Sequence, residues 1–280
     1  MILIDNSQIV LANIFQTIKY NPDINEDFLR HLVLNTYRMY RTKFSDYGEL
    51  VICNDAGNGW RRGVFPHYKM NRKRQQAASH VDWDSIFDAL NSIRDEVRDH
   101  LPYRNITVDR CEADDIIGVL TRLLCQTESV MIVSGDKDFQ QLQRYDNVRQ
   151  YSPIQKKFLE CERPESFLYN HIVKGDVSDG VPNVLSDDDT FVVEGKRQKP
   201  MNAKAKARVK EIVEGKEVDE TVLRNYDRNK RMIDLDYTPI EYVEAIQNAY
   251  MNQTVPPRSG LLNYFIDKGL KNLMDNIEEF

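Results

Sequence analysis

Val130-Met131-Ile132-Val133-Ser134-Gly135-Asp136-Lys137-Asp138 is the stretch of this chain that decides its fold. Its first four residues are all apolar and indicate a short β-strand, which a Ser-Gly turn ends. Asp136 and Asp138 follow the turn, and because they are two residues apart they can point in the same direction. Two carboxylates held in this way could bridge a pair of metal ions.

Two other apolar runs end in a carboxylate. Ile2–Ile4 is followed directly by Asp5, and Leu50–Cys53 is followed by Asn54 and then Asp55. The segments between the runs place apolar residues at helical spacing, and the clearest of them predicts an amphipathic helix over Asp84–Leu101. This alternation favours an α/β domain with a mostly parallel central sheet flanked by helices.

Two more acidic clusters accompany these strand ends. They are Glu112, Asp114 and Asp115, which open a helical apolar run, and Asp176 and Asp179. In a parallel sheet the carboxyl ends of the strands meet in one crevice, so we expect the acids to converge. Like charges do not stay ionised side by side without a cation, and hard oxygen ligands select Mg²⁺ or Mn²⁺. A single acid at such a place usually caps a helix or forms a turn, but capping needs one acid at residues 112–115, not three.

The overall charge of the chain is less informative than its pattern. Its 280 residues carry a formal net charge of −6, which by itself argues against a polyanionic partner. Without the nine clustered carboxylates the remainder would carry +3. The four cysteines have no CxxC spacing and are expected to be reduced thiols. No basic region precedes the first apolar run and no stretch approaches about 20 apolar residues, so the chain is expected to be soluble and intracellular.

Two basic stretches contain no acid. The first, Trp60–Arg74, interleaves cations with aromatic residues, which suits a nucleic-acid strand because phosphates meet the cations and a base can stack on a ring. The second, Lys196–Lys210, has no aromatic residue and suggests contact with duplex phosphates. A solvated loop is the simpler explanation for either stretch taken alone. The candidate nucleic-acid contacts are Arg61, Arg62, Tyr68, Lys69, Arg72, Lys73 and Arg74 in the first stretch, and Lys196, Arg197, Lys199, Lys204 and Lys206 in the second.

After about residue 172 the strand signals largely stop. The remainder is polar and helical by composition, with predicted helices over Lys204–Glu214, Pro239–Tyr250 and Leu261–Met274. The chain is therefore predicted to combine an α/β region at 1–172 with a smaller helical region at 173–280.

The motifs also stand in a characteristic order along the chain. They are Ile4-Asp5-Asn6-Ser7, Asn54-Asp55, Trp60-Arg61-Arg62, Tyr68-Lys69-Met70-Asn71-Arg72, Glu112-Ala113-Asp114-Asp115, Ser134-Gly135-Asp136-Lys137-Asp138-Phe139, Lys174–Pro182, Asp234–Tyr237 and Val255–Arg258. In this order they resemble the motif series of the flap endonuclease (5′-nuclease) family, and the resemblance covers essentially the whole chain. No single motif is decisive, but the ordered set is highly specific.

The resemblance implies a role for these positions. In the family, the matching acids hold two divalent ions, Mg²⁺ with Mn²⁺ as a substitute, which activate water and stabilise charge on the phosphate. Lys69 and Arg72 would grip the scissile phosphate, and together with Asp115 they are the predicted catalytic residues. Residues from about 60 to 82 would form part of an arch through which single-stranded 5′ ends pass. The tighter metal site would use Asp5, Asp55, Glu112, Asp114 and Asp115, and the second site Asp136, Asp138, Asp176 and Asp179.

The implied activity is that of a structure-specific 5′-to-3′ exonuclease and flap endonuclease, which removes RNA primers and adjoining DNA at lagging-strand 5′ ends. Residues 1–172 would be the metal-dependent nuclease core and 173–280 a DNA-binding region. The expected substrates are forked, flapped or nicked DNA and RNA–DNA duplexes. The single-stranded-DNA-binding protein and sliding clamp of a replisome are expected partners. The chain is expected to act as a monomer, away from membranes, in the cytoplasm of an infected bacterial cell.

Two alternatives stay open at this point. A PIN-type ribonuclease shares the α/β carboxylate site but usually has fewer acids and no arch-like segment. A catalytically silent branched-DNA-binding protein is the other, although every candidate metal ligand is present as Asp or Glu.

One segment departs from the family pattern. Many members follow the Gly-Asp-x-x-Asp motif with a glycine-rich turn that, with a bound potassium ion, holds a duplex phosphate, whereas residues 183–190 contain no Gly-x-Gly. Asp187–Asp189 would repel phosphate if exposed. Lys196–Lys210 is therefore expected to contact the duplex in a different way.

Overall fold

The structure is a computed structural model that describes residues 1–18, 25–70 and 83–280, without the side chains of Gln16 and Ile18. The chain forms two compact units. Unit 1 consists of Met1–Gly57, Asp82–Glu160 and Ile240–Phe280, and unit 2 of Asn58–Val81 and Cys161–Pro239, as far as these residues are described. Both units take residues from either side of position 172, and the functional division predicted there stays a prediction.

The elements of the described residues follow one another along the chain. The strands are β1 Ile2–Asp5, β2 Leu50–Cys53, β3 Arg104–Ile106, β4 Val130–Val133, β5 Val148–Ser152 and β6 Lys157–Leu159. The helices are α1 Asn6–Ile18, α2 Glu26–Lys43, α3 Arg61–Val64, α4 Trp83–His100, α5 Ala113–Leu124, α6 Pro164–Lys174, α7 Ala203–Val213, α8 Glu220–Ile233, α9 Ile240–Asn252, α10 Leu261–Asp267 and α11 Lys271–Met274. Short 3₁₀ helices occupy Ser45–Tyr47, Lys137–Arg144, Leu235–Tyr237, Arg258–Gly260 and Ile277–Glu279.

The six strands of unit 1 form one sheet in the order β3-β2-β1-β4-β5-β6. All neighbouring pairs are parallel except β5 with β6, which are antiparallel. Every residue of β1, β2 and β4 is buried, which explains why all of them except Asp5 at the end of β1 are apolar, since helices cover both faces of such a sheet. The predicted α/β class with a mostly parallel sheet is confirmed.

One face of this sheet is covered by an apolar core that reaches the carboxyl terminus. Residues from α1, α2, α4, α10 and α11 meet there, and Phe280 is fully buried among them. Asn25 begins α2 by accepting a 2.8 Å hydrogen bond from the Phe28 N–H group, and acids follow in the first turn.

Unit 2 is built around α6 and α8. Their apolar side chains form two small clusters, one with Phe65 and Tyr68, which follow α3, and one with residues of α7. Asn229 of α8 is fully buried, and its Nδ2 donates hydrogen bonds of 2.8 Å and 2.9 Å to the carbonyl oxygens of Ile172 and Pro182. A buried amide that satisfies two carbonyl groups fixes the position of α8 against α6 and the segment after it.

Most predicted elements are confirmed to within a few residues. Asp84–Leu101 is α4, and the strand predicted at the opening motif is β4. The single helix predicted over Leu261–Met274 is wrong, because the chain breaks at Gly269, whose φ of 65° leaves the helical region. Strands β3, β5 and β6 were not predicted, since they are three to five residues long and carry polar residues.

Among the described residues, no helix combines the length and the apolar character needed to cross a membrane. The predicted arch segment lies only partly within the described residues, because positions 71–82 fall outside them.

Candidate metal and nucleic-acid site

The carboxyl ends of β1, β2 and β4 lie side by side at one edge of the sheet in unit 1. Asp5, the last residue of β1, pairs in register with Cys53 of β2, and Asp55 follows two residues beyond. Ser134 comes directly after β4 and begins the turn that carries Asp136. The parallel sheet therefore brings acids that are far apart in the sequence to the edge where open α/β sheets bind ligands.

Asp5 is buried at this edge, with 5% of its surface exposed. Ser134 Oγ donates a 2.8 Å hydrogen bond to its Oδ2, and the Gln8 N–H group donates a 3.3 Å bond to its Oδ1. Burial, followed by the negative charge of Asp55 and more weakly of Asp136, raises the pKa of Asp5 to about 7, although the Ser134 bond opposes the shift. A divalent cation would offset both unfavourable effects, so this carboxylate and its oxygen-bearing neighbours fit a metal-binding role.

The acids at the start of α5 also support the local fold. The Glu112 N–H group donates a 2.9 Å hydrogen bond to Asp115 Oδ2, and the Ala113 N–H group donates a 2.8 Å bond to Asp55 Oδ1. Asp115 is fully buried, whereas Asp114 is half-buried and Asp55 is exposed. The helix-capping role and the predicted metal-binding role use the same side chains, because each carboxylate can accept more than one partner.

The turn after β4 is fixed by two glutamines that the sequence analysis did not single out. Asp136 Oδ1 accepts a 2.9 Å hydrogen bond from the Asp138 N–H group and so begins the 3₁₀ helix. Gln150 of β5 donates a 2.6 Å bond to the carbonyl oxygen of Asp136. Gln8 Oε1 accepts a hydrogen bond from the Gly135 N–H group. These bonds hold the acids of the turn in place from β5 on one side and α1 on the other.

In unit 2, Asp176 is fixed in a tight turn. Its backbone exchanges hydrogen bonds of 2.8 Å and 2.7 Å with Val181, and the residue is buried. Asp176 Oδ1 accepts bonds from the N–H groups of Ser178, at 2.8 Å, and Asp179, at 3.3 Å. Asp176 Oδ2 lies 3.4 Å from Nε2 of the buried His171, another residue that the sequence analysis did not single out.

Within the same unit, Asp179 contacts Tyr68 and Lys69, and Lys69 is predicted to bind the scissile phosphate. The Tyr68 hydroxyl donates a 3.1 Å hydrogen bond to Asp179 Oδ2, and the Lys69 N–H group donates a 2.8 Å bond to the Asp179 carbonyl oxygen. Lys69 Nζ lies 4.0 Å from Asp179 Oδ2 and 4.7 Å from the centre of the Tyr68 ring. The predicted contacts Arg72, Lys73 and Arg74 lie outside the described residues.

The predicted metal ligands therefore fall into two groups. Unit 1 contains Asp5, Asp55, Glu112, Asp114, Asp115, Asp136 and Asp138, and unit 2 contains Asp176 and Asp179. The set predicted for the tighter metal site lies wholly in unit 1, and the set predicted for the second site has members in each unit.

The remaining cations of the first basic stretch differ in exposure. Arg61 is 3% exposed, its Nε donates a 3.1 Å hydrogen bond to the Met232 carbonyl oxygen, and its guanidinium lies 4.7 Å from the centre of the Trp60 ring. These contacts give Arg61 a structural role, because they join α3 to α8. Arg62 is partly exposed. Direct contact of Arg61 or Arg62 with a nucleic acid stays a prediction.

The acids Asp187–Asp189 are ion-paired within unit 2. Lys196 Nζ lies 2.9 Å from Asp187 Oδ2 and also pairs with Asp189, while Asp188 pairs with Arg224, at 2.8 Å, and with Arg228. These ion pairs reduce the repulsion that the acids would exert on a phosphate. Lys196, a predicted phosphate contact, is itself paired with Asp187 and Asp189. Of the other predicted contacts, Arg197, Lys199 and Lys204 are exposed and Lys206 is partly exposed.

The parallel sheet and the acids at its carboxyl edge define the class of α/β metal-dependent nucleases with a PIN-like core. Residues 1–169 match the family model described as "5'-3' exonuclease, N-terminal resolvase-like domain", and residues 163–280 match the model described as "T4 RNase H, C terminal". The chain belongs to the 5′-nuclease family and is a phosphodiesterase of this type.

One known protein and two solved structures show how far the likeness extends. The chain is 33% identical to ribonuclease H of Enterobacteria phage T4 over 292 residues, which cover 99% of this chain and 95% of that protein. The likeness to the ribonuclease H of T-even phages, predicted from the same motif order, is thus confirmed. The fold matches the 5′-exonuclease of phage T5 with divalent zinc ions bound, with a TM-score of 0.62 at 17% identity over 96% of this chain and 97% of that one. It also matches the T5 D15 flap endonuclease in a pseudo-enzyme-product complex with DNA and metal ions, with a TM-score of 0.63 at 17% identity over 99% and 98% of the two chains.

Proposed function

We propose that this chain is a Mg²⁺-dependent, structure-specific 5′-to-3′ exonuclease and flap endonuclease that removes RNA primers and adjoining DNA at lagging-strand 5′ ends. The observation that carries the proposal is the carboxylate cluster at the carboxyl edge of the sheet, where burial and neighbouring acids raise the pKa of Asp5 to about 7. A buried acid surrounded by acids is costly unless a cation joins it. Membership of the 5′-nuclease family favours this activity over that of a PIN-type ribonuclease.

The donor set fits two Mg²⁺ ions, with Mn²⁺ as a substitute, because all the proposed ligands are carboxylates. When bound, the ions would lower the pKa of a water molecule and stabilise charge on the phosphate and the leaving oxygen. The first site would use Asp5, Asp55, Glu112, Asp114 and Asp115, and the second Asp136, Asp138, Asp176 and Asp179. Within unit 1, Ser134 and Gln8 orient Asp5, and the start of α5 orients Asp55 through the Ala113 N–H group.

Lys69 would supply positive charge to the scissile phosphate, together with Arg72. The hydroxyl of Tyr68 and the backbone of Lys69 both bind Asp179, so the lysine and a proposed metal ligand are held in one group in unit 2. A fixed cation stabilises negative charge that develops in the transition state, because little reorganisation is needed when the charge forms.

The proposed substrates are forked, flapped or nicked DNA and RNA–DNA duplexes. The T4 relative is named a ribonuclease H, and the T5 D15 flap endonuclease of similar fold has been crystallised with DNA and metal ions. Exposed cations in unit 2, among them Arg197, Lys199 and Lys204, would contact the duplex phosphates. We extend the proposal to a monomer that works with the single-stranded-DNA-binding protein and sliding clamp of a replisome in the cytoplasm of an infected bacterial cell.

A cleavage assay with 5′-labelled flap DNA and an RNA-primed duplex tests the proposal. We expect short labelled products in Mg²⁺ or Mn²⁺ and none in EDTA. Asp115→Asn should bind the substrate as the wild type does but cut it more than about a hundredfold more slowly, since it removes one charge from the metal site. Asp109→Asn is the matched control, because Asp109 is an exposed acid just before the same helix. Binding without metal-dependent cleavage would contradict the nuclease proposal and support the catalytically silent DNA-binding alternative. Equal cleavage rates for the two variants would show that Asp115 is not part of the metal site.

A further inference from the structure

Unit 1 contains a cavity of about 380 Å³ that the carboxylate site does not account for. Helices α1, α2 and α4 form its walls, and the segment after β2 closes one end. Much of the wall is apolar, with Val10, Val33, Phe87, Leu90 and Ile93 among its members. A cavity of this size with apolar walls is typical of a site for a small organic group.

A chain of hydrogen bonds fixes the polar groups of this cavity. The Tyr37 hydroxyl donates a 2.6 Å bond to Asn6 Oδ1, and Asn6 Nδ2 donates a 2.7 Å bond to Asn54 Oδ1. Asn54 Nδ2 in turn donates to Asn105 Oδ1, and the Nδ2 of Asn105 donates a 2.8 Å bond to the carbonyl oxygen of Arg94. Tyr37, Asn6 and Asn54 all line the cavity.

These groups keep hydrogen-bonding capacity for a ligand. An amide nitrogen carries two N–H groups and an amide oxygen two lone pairs. Asn6 uses one N–H group toward Asn54 and one lone pair toward Tyr37, which leaves one of each. Both N–H groups of Asn54 are used, toward Asn105 Oδ1 and the Ile106 carbonyl oxygen, so Asn54 offers one lone pair of its oxygen. The lining also includes Ser7 and Asn91, a hydroxyl and a further amide. The cavity therefore offers donors and acceptors in fixed positions, together with apolar surface, which is what a heteroaromatic base needs for recognition by its edge and its face.

The cavity adjoins the proposed metal site. Asp55 belongs to its lining and also accepts the hydrogen bond from the Ala113 N–H group at the start of α5. Asn6 directly follows Asp5 in the chain, so the amide chain starts beside the buried carboxylate. A group in the cavity would therefore be a neighbour of a phosphate held at these acids.

We propose that this cavity binds the nucleobase of the unpaired nucleotide next to the scissile phosphate. The inference rests on the proposed nuclease function and adds a base-binding site to it. A phosphate is the less suitable occupant, because Asp55 lines the cavity with negative charge and Arg94 is the one cation among the lining residues that the structure describes. A base has no charge and can use both the apolar walls and the amides.

The test compares flap substrates that differ by one missing base. Abasic residues are placed in turn on either side of the scissile phosphate, and kcat/KM is measured for each in Mg²⁺. For the wild type, we expect one of the two abasic substrates to lose about tenfold in kcat/KM, the lower part of the range for stacking one base on protein side chains.

Two variants fill the cavity and one serves as the control. Leu90→Trp puts a bulky ring into the wall, and Asn91→Trp puts one at an exposed position of the lining, where it will not disturb folding. Both should lose about tenfold on the unmodified flap and show no further loss on the abasic one, because the base no longer has a site. Asp88→Trp, at an exposed position of α4 outside the lining, should behave as the wild type does.

Several outcomes separate the possibilities. If the wild type cleaves both abasic flaps as fast as the unmodified one, the base-binding site is wrong. The same follows if Asn91→Trp still loses tenfold when the base is removed. If the wild type does not cut the unmodified flap in Mg²⁺ at all, the proposed nuclease function fails, and the base-binding role fails with it.

Discussion

Replacing Asp5 by Asn should stabilise the metal-free protein while it abolishes cleavage. The pKa of Asp5 is raised from 3.8 to about 7 by burial and by the charges of Asp55 and Asp136. In the unfolded chain the carboxyl group loses its proton near pH 3.8, whereas in the folded chain it holds the proton until about pH 7. Between these values the folded state binds one more proton, so the free energy of unfolding falls as the pH rises.

The size of the effect follows from the shift. A rise of the pKa from 3.8 to about 7 corresponds to about 4 kcal/mol of stability, present in full below pH 4 and lost above pH 7. Asn cannot ionise, and its side-chain oxygen can still accept the hydrogen bond from Ser134. The variant should therefore match the wild type at pH 4 and exceed its free energy of unfolding by up to about 4 kcal/mol at pH 8 in EDTA.

Urea unfolding followed by circular dichroism at pH 4 and pH 8 would measure the difference. Asp146→Asn, at an exposed acid of unit 1, is the control and should not reproduce the gain in stability at pH 8, because it leaves the buried carboxyl group of Asp5 in place. Added Mg²⁺ should stabilise the wild type at pH 8 more than it stabilises Asp5→Asn, because a ligand stabilises only the state that binds it. An Asp5→Asn protein that is no more stable than the wild type at pH 8 in EDTA would contradict this expectation.

Two further substitutions test unit 2. Lys69→Met should lower kcat about a hundredfold with a much smaller change in KM, because the lysine is expected to act on the transition state. Lys216→Met, at an exposed lysine outside the predicted contacts, is the control and should change neither constant. A change confined to KM would show that Lys69 only binds the substrate. Gly175→Ala should cost more than about 2 kcal/mol of stability and raise the Mg²⁺ concentration needed for cleavage, since φ is +69° and a Cβ atom would lie 2.4 Å from the Val181 carbonyl oxygen, next to Asp176. Gly215→Ala, at a φ of +77° with nothing within 4 Å, should cost only the backbone strain of about 1 kcal/mol, and similar losses at the two glycines in thermal unfolding would contradict the steric argument.

The double use of the acids affects how such variants should be chosen. Asp136 begins a 3₁₀ helix and Asp115 accepts a hydrogen bond at the start of α5, so Ala at either position would remove a cap as well as a charge. Asn keeps an acceptor oxygen and removes only the charge. A loss of cleavage in an Asn variant can therefore be attributed to the metal site more securely than the same loss in an Ala variant.

Local patterns in the sequence determined the α/β class and the position of most acids. Three apolar runs indicated strands. Each run is followed within three residues by an acid, which is Asp5, Asp55 or Asp136, so acids were expected at the carboxyl ends of the strands. The helix at α4 followed from its apolar spacing. These features depend on neighbours a few residues apart, which the sequence shows directly. The order of the motifs along the chain indicated the 5′-nuclease family, and the similarity to known proteins confirms this family.

Only the tertiary structure decided which acids are buried and what surrounds them. Asp5 is buried and Asp55 exposed, although both follow an apolar strand. Asp188 is neutralised by Arg224 and Arg228, residues 36 and 40 positions further along the chain. Gln150 supports the turn after β4, and the cavity beside Asp55 needs three helices to form it. Such partners are chosen by the packing of elements distant in the chain, and neither composition nor spacing carries that information.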